Sequence, residues 1–317
     1  MGSNSDTAFD DGDQLDAMLR DSKALDKRRN SSIADARAIV DEFSNKSEDG
    51  AWPNLNRAEV ASRLLDLIGS ADSDADGQSD QAGRAIFQGA LNLCGPAAFF
   101  QCVIKRDPVM FATFATGLFD IGQGDLGSLH VEPNGDIINT DYAGLVPRMN
   151  GQVCPQADWM VMGALRNSTN AFWTGSFHGT PSEVMAAGTR PGELADWLEQ
   201  TGIYASVSNE ANWMQSKGIP HATNLPDYDG VDLISLINAD LISNARNLPA
   251  DSSWPMTEFP NHWVVIIAQT MPEVTKDAVY FPIWTWGSAM TLDVPTKSFV
   301  QNYYGALVCK LPPAASA

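Results

Sequence analysis

Residues 87–102 read FQGALNLCGPAAFFQC, a short loop followed by an apolar stretch. Gly95 and Pro96 follow Cys94, and proline is favoured in the first turn of a helix, where its missing N–H costs nothing. The pattern therefore predicts a helix from about Cys94 to Lys105. A thiol at a helix N-terminus meets the positive end of the helix dipole, which favours the thiolate. Cys94 is a candidate nucleophile, with a small buried core residue as the alternative.

Composition limits the classes of function. The chain has 317 residues and a net charge of −19, from 20 Lys and Arg against 39 Asp and Glu. Such an acidic composition disfavours a surface that binds the phosphate backbone of nucleic acid, so nucleic acid is not an expected ligand. The N-terminus lacks the pattern of a secretory signal, and the apolar run 108–119 is too short to span a bilayer. We expect no membrane span and a cytoplasmic location, or export without a signal peptide; oligomeric state stays open.

The four cysteines, at positions 94, 102, 154 and 309, have no close paired spacing and are predicted to be reduced thiols. The sequence contains none of the short motifs GxGxxG, Walker A, HExxH or CxxC, so we predict no cofactor and no metal. One acidic stretch resembles the start of a calcium loop, with oxygen ligands at Asp72, Asp74 and Asp76. Its twelfth position is Gly83 instead of a bidentate glutamate, which favours an acidic linker over calcium.

Hydrophobic periodicity and turn-forming residues divide the chain into an acidic helical accessory segment, 1–83, and a catalytic domain, 84–317. Helical patterns in the accessory segment cover 14–30, 33–45 and 56–71. In the domain we predict helices over 94–105, 108–119, 157–168, 190–202 and 231–245. The Asn134-Gly135 pair predicts a hairpin within 129–139. Apolar β-branched runs predict strands at 262–269, 277–287 and 306–311, which gives an α+β fold with a C-terminal antiparallel sheet.

A reactive cysteine needs a base, and His262 is the best placed of the four histidines. It opens a strand directly after a loop with two prolines, and a strand end can approach a helix N-terminus in space. The developing oxyanion needs a hydrogen-bond donor as well. The Gln88 amide, together with the backbone N–H of Cys94, is the candidate donor.

These residues together resemble a known family. Gln88 stands six residues before Cys94-Gly95-Pro96-Ala97-Ala98, and His262-Trp263-Val264-Val265 precedes Trp284-Thr285-Trp286-Gly287. This order resembles the papain-like cysteine peptidases over about residues 84–310, and most of all the bacterial branch that includes bacteriocin-processing peptidases. The resemblance implies a papain-like α+β fold with Cys94 as nucleophile, His262 as base and Gln88 lining the oxyanion hole.

The third catalytic position departs from that family. Its members carry Asn or Asp on the strand after the histidine, whereas this chain has Trp284-Thr285-Trp286-Gly287. If strands 262–270 and 278–287 pair around a turn near Val274, His262 lies opposite about Trp286. Thr285 then becomes a neutral residue that orients the imidazole. The other possibilities are a Cys-His dyad, or orientation by Asn261, Gln269 or Asp293.

The resemblance implies a cysteine peptidase that hydrolyses a peptide bond of a protein or peptide substrate through a Cys94 thioester. It also suggests a delivered bacterial toxin or effector. Glutamine deamidation or transamidation shares the first half of that mechanism and is the alternative reaction. A catalytically inactive binding module on the same fold is the alternative of a different class.

Overall fold

A computed structural model describes residues 31–70, 85–170, 177–183, 188–226, 230–245, 260–267 and 273–313. It confirms the predicted α+β class, since helices dominate the N-terminal half and an antiparallel sheet the C-terminal half. The first predicted helix (14–30), Asp72, Asp74 and Asp76, and Gln269 lie outside the described residues.

Five longer helices make up most of the described part of the N-terminal half. The first, α1, includes residues 31–44. The others are α2 (Arg57–Ser70), α3 (Cys94–Arg106), α4 (Pro108–Ile121) and α7 (Gln156–Thr169). Short helices α5 (Gly135–Ile138) and α6 (Tyr142–Leu145) precede α7, and a 3₁₀ turn covers Val146–Met149. Later in the chain come α8 (Pro191–Gln200), α9 (Gly218–Ala222), α10 (Asp240–Ala245) and α11 (Thr296–Asn302).

Nine strands form two sheets in the described part of the chain. A small hairpin pairs β1 (Gly124–Leu126) with β2 (Leu129–Val131). The large sheet is antiparallel, with strand order β3-β9-β4-β5-β7-β6 and with β8 paired to β7. Its strands are β3 (Ser206–Asn209), β4 (Val231–Ile237), β5 (His262–Ile266), β6 (Glu273–Val274), β7 (Ala278–Thr285), β8 (Ser288–Pro295) and β9 (Tyr303–Lys310). The strands predicted at 262–269, 277–287 and 306–311 are confirmed as β5, β7 and β9.

The large sheet separates two hydrophobic cores. Trp263 and Val265 of β5 face the first core, which they share with α3, α4 and α7. The alternating residues Val264 and Ile266 face the second core, which α9, α10 and α11 cover. Because successive side chains of a strand point to opposite faces, each residue of β5 is assigned to one core or the other.

The described part of the predicted accessory segment packs into the first core. Val40 and Phe43 of α1 and Leu64 of α2 are buried there together with residues of α3 and α7. Trp52, between the two helices, donates from its indole Nε1 to the Leu118 carbonyl at 2.8 Å. The proposed boundary between residues 83 and 84 falls at the edge of the undescribed range 71–84 and stays a prediction.

Two predicted elements are wrong. The helix predicted over 231–245 is instead strand β4 followed by the short helix α10. All seven residues of β4 are buried, and a strand buried on both faces gives a continuous apolar run that periodicity does not separate from a buried helix. The hairpin predicted within 129–139 is instead β2 followed by α5. Asn134 caps α5 by accepting from the backbone N–H groups of Asp136 and Ile137, because asparagine favours helix N-caps as well as turns.

A buried charge cluster fixes the C-terminal end of α3 to β4. Asp232 accepts from Lys105 Nζ at 2.8 Å and from Arg106 Nε at 2.6 Å, and Tyr204 donates its hydroxyl to the same carboxylate at 2.8 Å. Burial alone would raise the pKa of Asp232, but Lys105 and Arg106 outweigh it and lower the pKa to about 2. The helix that begins at Cys94 is thus held against the sheet at its other end. No helix within the described ranges is long and apolar enough to cross a membrane.

Candidate active site

Cys94 is the first residue of α3, as the sequence predicted. Its thiol is half-buried, whereas Cys102, Cys154 and Cys309 are fully buried, and all four are free. The Sγ atom lies 3.9 Å from the carbonyl oxygen of Asn261, and the backbone N–H of Trp263 also faces it. The sulfur therefore lies against the first residues of β5, on either side of His262 in the chain.

Burial controls the protonation of this thiol. Burial raises the pKa of Cys94 to about 11, although the backbone N–H groups of Trp263, Gly95 and Cys94 itself act in the opposite direction. The helix N-terminus thus offers partial positive charge to the sulfur, but desolvation is the larger effect. At neutral pH the resting residue is a neutral thiol, so attack requires a base.

His262 is the first residue of β5 and only 5% exposed. Burial lowers the pKa of its imidazole to about 3, so the ring is neutral at physiological pH. Its Nε2 atom lies 2.6 Å from the Thr285 hydroxyl oxygen. When Nε2 carries the proton and donates to Thr285, Nδ1 is free to accept a proton, which is the form that a general base needs. A hydroxyl is neutral, so it orients the ring without stabilising an imidazolium as a carboxylate would.

The hairpin between β7 and β8 brings Thr285 to His262. Val265 pairs with Trp284 and Ile266 with Ile283. His262 stands three residues before Val265, so the same register places it opposite Gly287. The sequence had predicted a position opposite Trp286, one residue earlier. Thr285 then lies two residues along β7 on the same face, within reach of the imidazole.

A tight turn places a second side chain on the imidazole. Trp286 and Gly287 join β7 to β8 with φ values of 47° and 71°, which is the two-residue hairpin geometry that needs positive φ at both positions. Trp286 covers the imidazole of His262, with ring centroids 4.7 Å apart and planes at 30°. An aromatic residue at positive φ is uncommon and strained, so the fold maintains this contact at an energetic cost.

Gln88 lies in the loop before α3 and is 6% exposed. Its Nε2 donates to the Leu91 carbonyl at 2.8 Å, which leaves the second N–H of the amide as a donor for a ligand. The loop also contacts the hairpin turn, because a methyl group added at Gly287 would lie 3.0 Å from the Phe87 ring. The turn that carries Trp286 is therefore next to the loop that carries Gln88.

The structure brings Cys94 and His262 to the same strand end without joining them. In the described chain, the sulfur's hydrogen-bond contact is with Asn261 and that of the imidazole is with Thr285. His262 alternates with Val264 and Ile266, which face the second core, whereas α3 packs on the first. In this arrangement the imidazole and the sulfur make no hydrogen bond with each other. Catalytic hydrogen bonds are often longer without substrate and tighten on binding.

The other candidate orienting residues lie elsewhere. Asn261 accepts from the Ala239 backbone N–H through Oδ1 at 2.8 Å, so its side chain is engaged with the start of α10. Asp293 is exposed on β8, opposite Tyr280. Among the described residues, no group of three or more His, Cys, Asp and Glu side chains could hold a metal ion.

Sequence reasoning missed Thr189 beside Cys94, and it missed the contact that Trp263 makes with Thr189. Thr189, just before α8, is 3% exposed and its side chain lies against Gly95. Trp263 donates from its indole Nε1 to the Thr189 carbonyl at 2.9 Å. A threonine in a loop 95 positions after the cysteine gives no local pattern that predicts this contact. No protein-family model matches the chain, and a search of curated proteins gives no match either.

Proposed function

We propose that this protein is a papain-like cysteine peptidase in which Cys94 is the nucleophile and His262 the general base. The observation that carries the proposal is the position of the Cys94 sulfur. It lies at a helix N-terminus and against the backbone on both sides of His262, whose Nε2 is held by Thr285. A cysteine, a histidine and a residue that orients the histidine are the parts that a thiol peptidase needs.

The proposed reaction begins with transfer of the Cys94 proton to Nδ1 of His262 as sulfur bonds to the carbonyl carbon of a peptide. The backbone N–H of Cys94 and the Gln88 amide stabilise the oxyanion. The C–N bond then breaks, and the imidazolium returns its proton to the departing amine. Water next attacks the thioester carbonyl and gives a proton to His262. The C–S bond breaks, and the thiol regains its proton.

A second candidate function is a binding module on the same fold without catalysis. The raised pKa of Cys94 and the lowered pKa of His262 favour it, because both groups rest in their neutral forms. The absence of a hydrogen bond between these two described side chains favours it as well. The two candidates differ in one measurable property, which is whether His262 accelerates a reaction of the Cys94 thiol.

Alkylation of the native protein by iodoacetamide at pH 7 separates the candidates. Cys102, Cys154 and Cys309 are fully buried, so preferential labelling of Cys94 shows accessibility and does not establish activation. The informative comparison is between the wild type and His262→Ala, with Cys94→Ala as the blank. We expect His262→Ala to slow labelling of Cys94 by about tenfold or more, because a positioned base contributes at least that much to thiol reactions.

Equal labelling rates in the wild type and His262→Ala would remove His262 as the base and leave the binding module. If labelling slows as expected, incubation with a peptide library followed by mass spectrometry identifies the reaction. Hydrolysis gives two fragments, whereas deamidation leaves the peptide backbone intact and transamidation adds an amine. Any product that persists with Cys94→Ala arises from another source.

A further inference from the structure

We infer that Thr189 is a positioning residue that fixes where Cys94 lies against β5. The inference rests on the proposed function for its significance, because it concerns the same nucleophile. It does not depend on which substrate carbonyl is attacked, or on whether His262 is the base.

Thr189 contacts both elements that enclose the sulfur. On one side, its side chain occupies the space beside Gly95, so that a methyl group added to that glycine would overlap Thr189 Cβ and Oγ1. Gly95 is the residue after the nucleophile. On the other side, the Thr189 carbonyl accepts the indole N–H of Trp263 at 2.9 Å. The backbone N–H of that same Trp263 faces Sγ of Cys94.

A buried arginine holds Thr189 in place. Arg166 of α7 is 1% exposed and donates to the Thr189 hydroxyl at 3.3 Å. Its guanidinium also makes two bonds to Glu193, at 2.6 and 3.0 Å, and lies over the Trp197 ring at 5.4 Å. Paired bonds from guanidinium to carboxylate fix direction as well as distance. Thr189 is therefore in contact with an ion pair that joins α7 to α8.

These contacts form a continuous connection from α7, through Thr189, to both sides of the thiol. The Thr189 side chain sets how closely the first turn of α3 approaches the loop before α8. Its carbonyl accepts the indole N–H of Trp263 and so fixes the position of that residue. The Trp263 backbone N–H is one of the groups that favour the thiolate, so displacing it should make the sulfur less reactive. The shape of the Thr189 side chain beside Gly95 and the bond from Arg166 to its hydroxyl both contribute to this placement.

The test is the rate of iodoacetamide labelling of Cys94 at pH 7 in native protein. We expect Thr189→Ala to slow labelling fivefold or more, because the space beside Gly95 opens and the contact of the sulfur with Trp263 loosens. Thr189→Val keeps the shape of the side chain but loses the bond to Arg166, so it should slow labelling less than Thr189→Ala does. Gly95→Ala should also slow labelling, because its methyl group meets Thr189. The double variant Gly95→Ala/Thr189→Gly, which removes the Thr189 Cβ that the added methyl group would meet, should then react faster than Gly95→Ala alone.

Thr201→Ala controls for loss of stability alone. Thr201 is 2% exposed at the end of α8, and its hydroxyl bonds the Leu198 carbonyl at 2.7 Å. Its loss should lower the melting temperature and leave the labelling rate unchanged. Faster or unchanged labelling in Thr189→Ala, or no recovery in the double variant, would overturn the inference. Failure of the proposed function is seen separately, as equal rates in the wild type and His262→Ala.

Discussion

At the scale of the residue, the protonation of His262 links the candidate site to stability. Burial lowers its pKa from 6.5 to about 3 in the folded protein, so the unfolded chain binds more protons between these pH values. A buried neutral histidine therefore costs stability as pH falls below 6.5, until the folded state also binds the proton near pH 3. Each pH unit in this window should cost about 1.4 kcal/mol for this one group.

Replacing His262 by Gln removes this proton-binding difference. We expect the stability of the wild type, relative to His262→Gln, to fall by about 2 kcal/mol between pH 6.5 and pH 5. Urea unfolding at a series of pH values measures it. The contribution of His130 to stability should depend on pH in the opposite direction, because its hydrogen bond to Asp125 raises its pKa. Its contribution is present below pH 6.5 and is lost as pH rises. If the wild type and His262→Gln lose stability in parallel, His262 is not a buried neutral group.

At the same scale, residues with a local signal could be predicted and residues without one could not. Cys94 was recognisable because glycine and proline after it mark a helix start, and His262 because it opens a β-branched run. Thr285, the hydrogen-bond partner of the imidazole, could also be predicted, from the expected pairing of two strands, but Thr189 could not. Thr189 reaches Gly95 only through the packing of α7, α8 and β5, and nothing in its neighbouring sequence records that packing.

At the scale of the element, the turn between β7 and β8 determines what covers His262. Gly287 has φ 71°, and a methyl group there would lie 3.0 Å from the Phe87 ring. We expect Gly287→Ala to cost about 1–2 kcal/mol from the backbone alone. It should also displace Trp286 from the imidazole, because the turn must move away from Phe87. The His262 proton shifts in NMR spectra, which depend on the nearby indole ring, should change.

Gly230→Ala is the matched control for this turn. Gly230 has nearly the same φ, 73°, with no atom within 4 Å of an added methyl group. It should show a similar loss of stability with no change in the His262 shifts. Changes of equal size in the two variants would mean that the turn does not hold Trp286 over the ring.

The elements also show where periodicity fails. Strands β5 and β7 were predictable from β-branched and aromatic runs bounded by turn residues, but β4 was not. Val231–Ile237 is buried along its whole length between two cores, and burial on both faces removes the alternation that identifies a strand. β5 is buried along its whole length as well, but its β-branched and aromatic residues identified it, whereas the Leu, Asp and Ser residues of β4 do not favour a strand.

At the scale of the whole molecule, the fold class followed from the order of helical and strand patterns, but the packing of residues 31–70 did not. Few apolar positions per helix suggested an accessory segment. In α1 and α2 those few positions are nevertheless buried in the first core beside α3 and α7. Sequence patterns show which face of a helix is apolar, whereas the element it packs against depends on contacts far apart in the chain.

Trp52 tests whether this segment unfolds together with the sheet. It is 1% exposed, bonds the Leu118 carbonyl and meets the Trp159 ring edge-on, with centroids 5.7 Å apart. We expect Trp52→Ala to destabilise the whole protein by about 3–5 kcal/mol, the usual cost of truncating a buried aromatic residue. Urea unfolding is monitored by circular dichroism, which reports on the helices, and by labelling of Cys309, which reports on the sheet.

Both probes should shift to the same lower midpoint, because α1, α2 and the sheet share the first core and a single cooperative unit unfolds at once. Trp213→Ala is the matched control, since Trp213 is 38% exposed and its loss should leave the midpoint nearly unchanged. If Trp52→Ala instead shifts part of the dichroism signal while Cys309 stays protected to the wild-type midpoint, the N-terminal segment folds independently. The boundary near residue 83 would then separate two units that make contact but unfold separately.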